Sequence, residues 1–228
     1  MSEISYTIQR TERRKTATLQ IVDGKLTVVV PSRFSDKQVS DLVDSRLERI
    51  QRTIANQEKI LNRTETEFVS GHGFKYLGRT YRLKIYRTGT GQTGLRNGRL
   101  EVWTSNNAKG TGDEVKQSLI EWYQRRAEEK FQERIRIYEK KIGTFVSFVG
   151  LKDMKTKWGS CTSKGKITLN WRLIFAPTRI IDYVVVHELC HLVCHDHSRR
   201  FWSKVMRLLP DYESRREWLK QNEHSLTL

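Results

Sequence analysis

The first thirty residues alternate between apolar runs and polar breaks, a pattern typical of strands. ISYTIQ (4–9), TATLQI (16–21) and LTVVV (26–30) are rich in β-branched and aromatic residues. Asp23 and Gly24, between the last two runs, suit a tight two-residue turn. The sequence therefore predicts three strands, of which the last two form a hairpin.

A helical repeat follows. Ser35 and Gln38 form a capping-box pattern, in which each side chain accepts a hydrogen bond from the backbone N–H of the other residue. Apolar residues then recur at the spacing of one helix face. The predicted helix would bury Val39, Leu42, Val43, Leu47, Ile50, Ile54 and Leu61.

Short strands return between residues 68 and 104. FKYLGRTYRLKIY (74–86) and RLEVWT (99–104) have strand composition, and glycines punctuate the whole stretch. Glycines at this density mark turns and flexible connections. We therefore predict a β meander with one glycine-rich turn at residues 89–98.

The longest amphipathic stretch runs from Asp113 to Ile142, and Gly143 is placed to end it. Its apolar positions fall on one stripe beneath a charged face, which predicts a single long helix. The stripe comprises Val115, Leu119, Trp122, Tyr123, Phe131, Ile135 and Tyr138.

Beyond this helix the pattern predicts strands and then short helices. FVSFVGL (145–151) and KITLNWRLIFA (166–176) are apolar runs that flank a turn-rich segment. Ser198 is placed to cap a helix that runs to Leu209, and Asp211 to cap the last helix.

The segment between these strands and the last helices gives conflicting signals. IIDYVVV (180–186) is largely β-branched, and propensity alone predicts a strand. Pro177 suits the first turn of a helix, and a buried helix is apolar nearly all round. We predict a helix.

These elements together predict an α+β fold in two regions. NNAKGTGD (106–113) is the weakest stretch between a strand and the long helix, and we place the boundary there. Residues 1–110 would form a β-rich region with one helix. Residues 111–228 would combine the long helix, a small mixed sheet and the helix after Pro177.

The charge balance is strongly basic. Lysine and arginine number 42 against 26 acidic residues, which gives a net charge of +16. Such a surface attracts polyanions, so a nucleotide or nucleic acid is a possible partner. The excess is spread along the chain, and a generally basic surface is the simpler interpretation.

Cysteine usage and hydropathy bear on the compartment. Cys161, Cys190 and Cys194 cannot form a fully paired disulfide framework, and the polar N-terminus has no signal-peptide pattern. No stretch approaches the ~18 apolar residues of a membrane span. We expect a soluble cytoplasmic protein, with Cys190 and Cys194 as small buried side chains.

The stretch HELCHLVCHDH (187–197) holds four of the six histidines. Positions four apart on a helix lie one turn apart on the same side, so His187 and His191 would face one point. Glu188 lies close to that point, which is the HExxH arrangement of zinc hydrolases.

A catalytic zinc usually takes three protein ligands and leaves one position for water. His197 is the best third candidate, because the chain can double back after the helix. Glu213, Glu217 and His195 are the alternatives. The spacing matches that of metzincins, but Cys194 stands at their glycine position.

Residues 155–202 resemble the YgjP-like metallopeptidase family, which is related to the SprT-like minimal zincins. The resemblance joins WGSC, LNWRL, HELCHL and HSRRFW in this order, although Lys157 stands where arginine is common. FVSGHGFKYLGRTYRL (68–83) and EWYQRRAEEKF (121–131) are also similar, so the resemblance spans most of the chain.

The resemblance implies that residues 111–228 are a zincin-like catalytic domain. His187, His191 and His197 would be zinc ligands, and Glu188 would be the general base. ITLNWRL (167–173) would form the sheet edge beside the active-site helix.

Two activities are compatible with such a site. A metallopeptidase would use Glu188 to deprotonate a zinc-bound water that attacks a peptide or protein substrate, with Arg172, His195 or Tyr212 as a second oxyanion donor. A UTP-type nucleoside triphosphate pyrophosphatase is the alternative, although no Walker loop is present. Its phosphates would contact residues among Lys155, Lys157, Arg172, Arg199 and Arg200.

Overall fold

The computed structural model divides the chain into two compact units, residues 1–66 and 67–228. Compactness alone does not decide where an independently folding domain ends, and the division after residue 110 stays a prediction. Leu61 and most of the 106–113 segment lie outside the described residues. The structure describes residues 5–12, 16–22, 25–51, 54, 67–87, 91–104, 112–154 and 156–228.

The first unit contains a three-stranded sheet. β1 (Tyr6–Thr11) is parallel to β3 (Lys25–Pro31), and β2 (Thr18–Val22) is antiparallel to β3, which lies in the centre. Val22 pairs with Lys25, so two residues connect β2 and β3. The predicted hairpin is confirmed.

A capped helix, α1 (Asp36–Asp44), packs on this sheet. The Ser35 backbone N–H donates to Gln38 Oε1 at 2.9 Å, and the Gln38 N–H donates to Ser35 Oγ at 3.2 Å. The predicted capping box is therefore confirmed. A turn at Ser45 and Arg46 interrupts the helix, and residues 47–51 are helical again. The core of this unit is Leu26, Val28, Val30, Val39, Val43 and Ile50.

The second unit begins with a four-stranded sheet, and its order shows that the predicted meander is wrong. The order is β4-β5-β7-β6, and β5 and β7 pair in parallel. The strand that follows β5 in sequence, β6, does not pair with it. The place beside β5 is taken by β7, and β6 pairs with the other side of β7. The strands are β4 (Gly73–Tyr76), β5 (Arg79–Tyr86), β6 (Gly94–Arg96) and β7 (Arg99–Trp103).

The predicted long helix is confirmed as α2 (Gly112–Ile142), and all seven residues of its predicted stripe are buried. Gly143 follows with a left-handed φ of +74°. The backbone N–H groups of Gly143 and Thr144 both donate to the Glu139 carbonyl, at 3.0 and 3.2 Å. This pairing satisfies the end of the helix.

A third sheet lies beside α2 and corrects two expectations. Its order is β8-β10-β9, with β8 (Phe148–Lys152), β9 (Gly159–Cys161) and β10 (Lys166–Asn170). The ITLNWRL segment therefore supplies the central strand, and β8 and β9 are the two edge strands. The second correction is that Trp171–Phe175 forms a 3-10 helix and does not continue the strand.

Asn170 explains why β10 ends where it does. Its Oδ1 accepts a hydrogen bond from the Arg172 N–H at 3.1 Å and caps the 3-10 helix. Its Nδ2 donates to the carbonyls of Met154 and Lys157, at 2.8 and 3.2 Å. A single buried amide thus stops the strand and holds the segment that leads into β9.

The β-branched segment forms α3 (Thr178–His191), as predicted, and ten of its residues are buried. α4 (Arg199–Leu208) and α5 (Tyr212–Asn222) follow. Ser198 and Asp211 occupy the predicted N-cap positions without side-chain capping bonds. The α+β fold is confirmed.

No helix in the described ranges is both long enough and apolar enough to cross a bilayer.

An ion pair ties α2 to α3. Arg134 Nε and Nη2 donate to the two carboxylate oxygens of Asp182 at 2.5 and 3.0 Å. The two side chains are only 18% and 10% exposed, so water cannot replace a missing partner. This pair fixes the position of α3 along the long helix.

Removal of Arg134 should destabilise the protein strongly. Arg134→Ala leaves the buried Asp182 carboxylate without its charged partner, which typically costs about 3–5 kcal/mol of unfolding free energy. Urea denaturation followed by circular dichroism measures the change. Arg136→Ala, at an exposed position of the same helix, is the matched control, and equal stability of the two variants would contradict the assigned role.

Candidate metal centre

Three imidazoles converge at the end of α3. His187 and His191 lie one turn apart on α3, and His197 lies in the turn before α4. The Nε2 atom of His187 is 3.2 Å from Nε2 of His191 and 3.1 Å from Nε2 of His197. Helical spacing supplies two rings, and the returning chain supplies the third.

The donor set fits a tetrahedral metal ion. Two metal–nitrogen bonds of about 2.0–2.1 Å at the tetrahedral angle separate the nitrogens by roughly 3.4 Å. The observed separations from His187 are close to this value. Within the described part of the chain, these three residues form the one cluster of potential metal ligands.

His187 and His191 are held in the neutral form that binds metals. Burial, followed by the charges of His191 and His197, lowers the pKa of His187 to about 3. Burial also lowers the pKa of His191. Because protonation would block the ring nitrogens, this environment favours coordination at neutral pH.

Aromatic side chains orient the three rings. The Phe201 ring contacts all of them, with centroid distances of 5.0, 4.6 and 4.9 Å to His187, His191 and His197. Trp202 stacks on His197 at 5.7 Å, and Tyr212 stacks on Trp202 at 5.2 Å. The HSRRFW motif (197–202) therefore supplies the His197 ring and also the Phe201 and Trp202 side chains that pack against it.

The Nδ1 atoms of His187 and His191 have different surroundings. His191 Nδ1 lies 3.3 Å from the Cys194 carbonyl, which favours the tautomer with its proton on Nδ1 and a free Nε2. His187 Nδ1 is buried and has no hydrogen-bond partner among the described residues. Packing against Phe201 and Tyr183 holds His187 instead.

Glu188 is a buried carboxyl group beside this cluster. The residue is 7% exposed, and burial raises the pKa of its side chain to about 7, against the opposing charge of Lys157. A Cβ atom at Gly159 would lie 2.6 Å from Glu188 Oε1. The glycine thus lets strand β9 approach the carboxyl group closely, a role that its place in the WGSC motif could have suggested.

Two cavities flank Glu188. One, of about 350 Å³, is lined by the three histidines, by β9 and by the turn after it. The other, of about 260 Å³, lies one helical turn toward the start of α3 and has the higher share of apolar lining. Its apolar walls are Trp158, Tyr183, Val184 and Leu219.

The alternative third ligands lie outside the cluster of potential ligands. Glu213 accepts a hydrogen bond from the Tyr212 hydroxyl at 3.1 Å, and Glu217 accepts one from Gln221 at 2.9 Å. His195 lines the larger cavity but does not join the cluster.

The three suggested oxyanion donors have different positions. Arg172 donates to both carboxylate oxygens of Asp153, at 2.8 and 2.9 Å. The Tyr212 hydroxyl donates to Glu213. Among the three, His195 alone lines the larger cavity.

Comparison with known proteins gives a structural similarity and a family match. The chain is similar in structure to the crystal structure of the metallopeptidase zymogen of Pyrococcus abyssi abylysin, with 20% identity and a TM-score of 0.37 over 40% of this chain and 93% of that one. No curated protein matches the sequence. The profile of one family, described as YgjP-like, metallopeptidase domain, matches residues 15–222. The chain therefore belongs to the YgjP-like metallopeptidase family.

Proposed function

We propose that this protein is a zinc-dependent peptidase, in which His187, His191 and His197 hold the ion and Glu188 is the general base. The observation that carries the proposal is the convergence of three Nε2 atoms beside a buried carboxyl group. Three neutral imidazoles leave the ion its full charge, and borderline-soft zinc suits nitrogen ligands.

The protein groups have separate tasks. A bound zinc ion would polarise a substrate carbonyl and acidify a water molecule. Glu188 accepts the water proton at its carboxylate and passes it to the leaving amine. Its low exposure shields the carboxylate from bulk solvent, and its raised pKa makes it a stronger base than an exposed glutamate.

Strand β9 is the proposed docking edge for a substrate main chain. The Trp158 carbonyl accepts from Asn170 N–H, and Thr162 N–H donates to the Lys166 carbonyl. Because alternate residues of an antiparallel strand bond one neighbour, the N–H and C=O groups of Gly159 and Cys161 point away from β10. An extended peptide can pair with these groups by β-augmentation.

The flanking cavities would bind substrate side chains. The smaller one has a volume suited to a bulky apolar side chain such as leucine or phenylalanine, with Trp158 and Leu219 in its wall. The larger one is bounded by small polar residues of the turn after β9. We therefore expect the scissile bond to have an apolar residue on one side.

The nucleotide alternative has less support. Phosphate chains are bound by several cations, often arginines. Of the five suggested phosphate ligands, Lys155 lies outside the described residues and Arg172 is paired with Asp153. Lys157 is the one lysine or arginine among the described residues that line the larger cavity.

Metal content tests the ligand set. Purified wild type should carry about one equivalent of zinc, and His197→Ala should lose most of it because two histidines bind weakly. His195→Ala and His72→Ala should retain it. Mass spectrometry of metals in dialysed protein gives the result, and zinc loss in His195→Ala but not in His197→Ala would refute the assignment.

Turnover tests the base and the substrate class together. Glu188→Gln should retain zinc but lose peptide cleavage by roughly 10²–10⁴-fold. Wild type and variant are compared on a denatured-protein mixture, with and without DNA, and on nucleoside triphosphates. Turnover of triphosphates alone would replace the peptidase proposal, and undiminished cleavage by the variant would remove Glu188 from the mechanism.

The close contact at Gly159 gives an independent test. Gly159→Ala adds a methyl group against Glu188, and displacing the base by about 1 Å can lower kcat by about 10²-fold. Zinc content should remain unchanged, since the rings lie elsewhere. Gly112→Ala, whose Cβ would meet only Phe68 at 3.8 Å or more, is the control. Equal kcat of both variants would show that β9 does not constrain the base.

A further inference from the structure

The outer face of the β8-β10-β9 sheet displays aromatic rings to solvent. Ile167 and Leu169 of β10 point to the core and are fully buried. Alternate residues of a strand face opposite sides, so Lys166 and Thr168 lie on the outer face. Phe148, the register partner of Lys166 on β8, is 53% exposed.

Gly150 leaves room for the Phe148 ring on this face. A Cβ atom at Gly150 would lie 2.9 Å from Phe148 Cε1 and 3.7 Å from Thr168 Oγ1. The edge of the ring therefore lies against the glycine, next to the neighbouring strand, and a side chain at position 150 would force the ring away. An exposed aromatic ring on a sheet face is the form of surface on which a nucleobase stacks.

A second aromatic side chain lies close to the first in sequence and is still more exposed. Phe145 is 75% exposed, the highest value among the large apolar residues of the described chain. Its backbone is held near the β-turn at Gly165, since Ser147 donates to the Gly165 carbonyl at 3.0 Å and to the Lys164 carbonyl at 2.8 Å. The exposure of Phe145 thus belongs to an anchored segment.

The sequence around these rings is rich in lysine. Residues 140–170 contain seven lysines and one acidic residue, Asp153. Asp153 is paired with Arg172 at 2.8 Å, and Lys157 lines the cavity that holds the three histidines. The Lys166 ammonium lies 4.8 Å from the centroid of the Phe148 ring. A base that stacks on Phe148 can replace the Lys166 ammonium. The flexible lysine side chain can then contact a phosphate.

We propose that this face binds a single strand of nucleic acid, with a base on Phe148 and phosphates near Lys166 and its neighbouring lysines. An acidic protein would use the lysines but would have no need of the flat ring, and a duplex cannot offer the face of a base. Gly159 of β9 faces Glu188 on the other side of the sheet. The strand would therefore bind without entering the cavity that holds the three histidines.

Fluorescence anisotropy of a labelled oligothymidylate, titrated with the full-length protein at several salt concentrations, tests the proposal. Phe148→Ala should weaken binding about ten-fold, since stacking contributes ~1–3 kcal/mol per base. Phe148→Trp should bind within about two-fold of wild type because it keeps a stacking surface. Lys166→Gln should weaken binding and reduce the slope of log affinity against log salt by about 0.7.

Two variants elsewhere serve as matched controls. Met206→Ala removes another exposed apolar side chain, and Lys75→Gln removes a strand lysine from a different sheet. Neither should alter binding, and a duplex of equal length should bind more weakly than the single strand. Equal affinity of Phe148→Ala and wild type, or equal losses in Lys75→Gln and Lys166→Gln, would overturn the proposal. Circular dichroism melts verify that each variant is folded.

Discussion

The site depends on one constraint, which is that a strongly β-branched segment remains helical. α3 packs against α2, α4, α5 and β9, and most of its side chains are buried. This burial offsets the poor helix propensity of its valines and isoleucines. A strand would separate His187 and His191 by about 13 Å, too far to share one ion. The Arg134–Asp182 pair and the wall of apolar side chains therefore act on the metal centre through the helix that carries it.

Much of the fold follows from local signals. The capping box at Ser35, the hairpin before β3 and the stripe of α2 could be predicted because each depends on residues close together in sequence. The sheet orders could not. Contacts between residues far apart in sequence decide which strands pair. No local sequence signal therefore indicates the parallel pairing of β5 with β7 or the central position of β10. The 3-10 helix after Asn170 was missed because a run of apolar residues suits a strand equally well.

The candidate site was predicted unevenly for a similar reason. Helical geometry brought His187, His191 and Glu188 together, and the short return of the chain singled out His197. The sequence did not indicate that Phe201 and Trp202 support the histidine rings, because the spacing of apolar residues does not identify their packing partners. Gly159 is the clearest omission. A glycine inside a strand pattern signals close approach of another group, and here that group is the carboxyl side chain of Glu188.

The brevity of β9 limits how a substrate could be recognised. A strand of three residues offers two outward-facing residues and hence at most four main-chain hydrogen bonds. Each such bond adds only about 0.5–1.5 kcal/mol net, so backbone pairing would be weak and nearly indifferent to sequence. A compact protein would have to melt locally before it could lie along this edge. Chains that are already extended, such as nascent, damaged or tail segments, would not need to unfold first. Under the proposed function, the choice of substrate would therefore depend on the conformation of the substrate chain as much as on its residues.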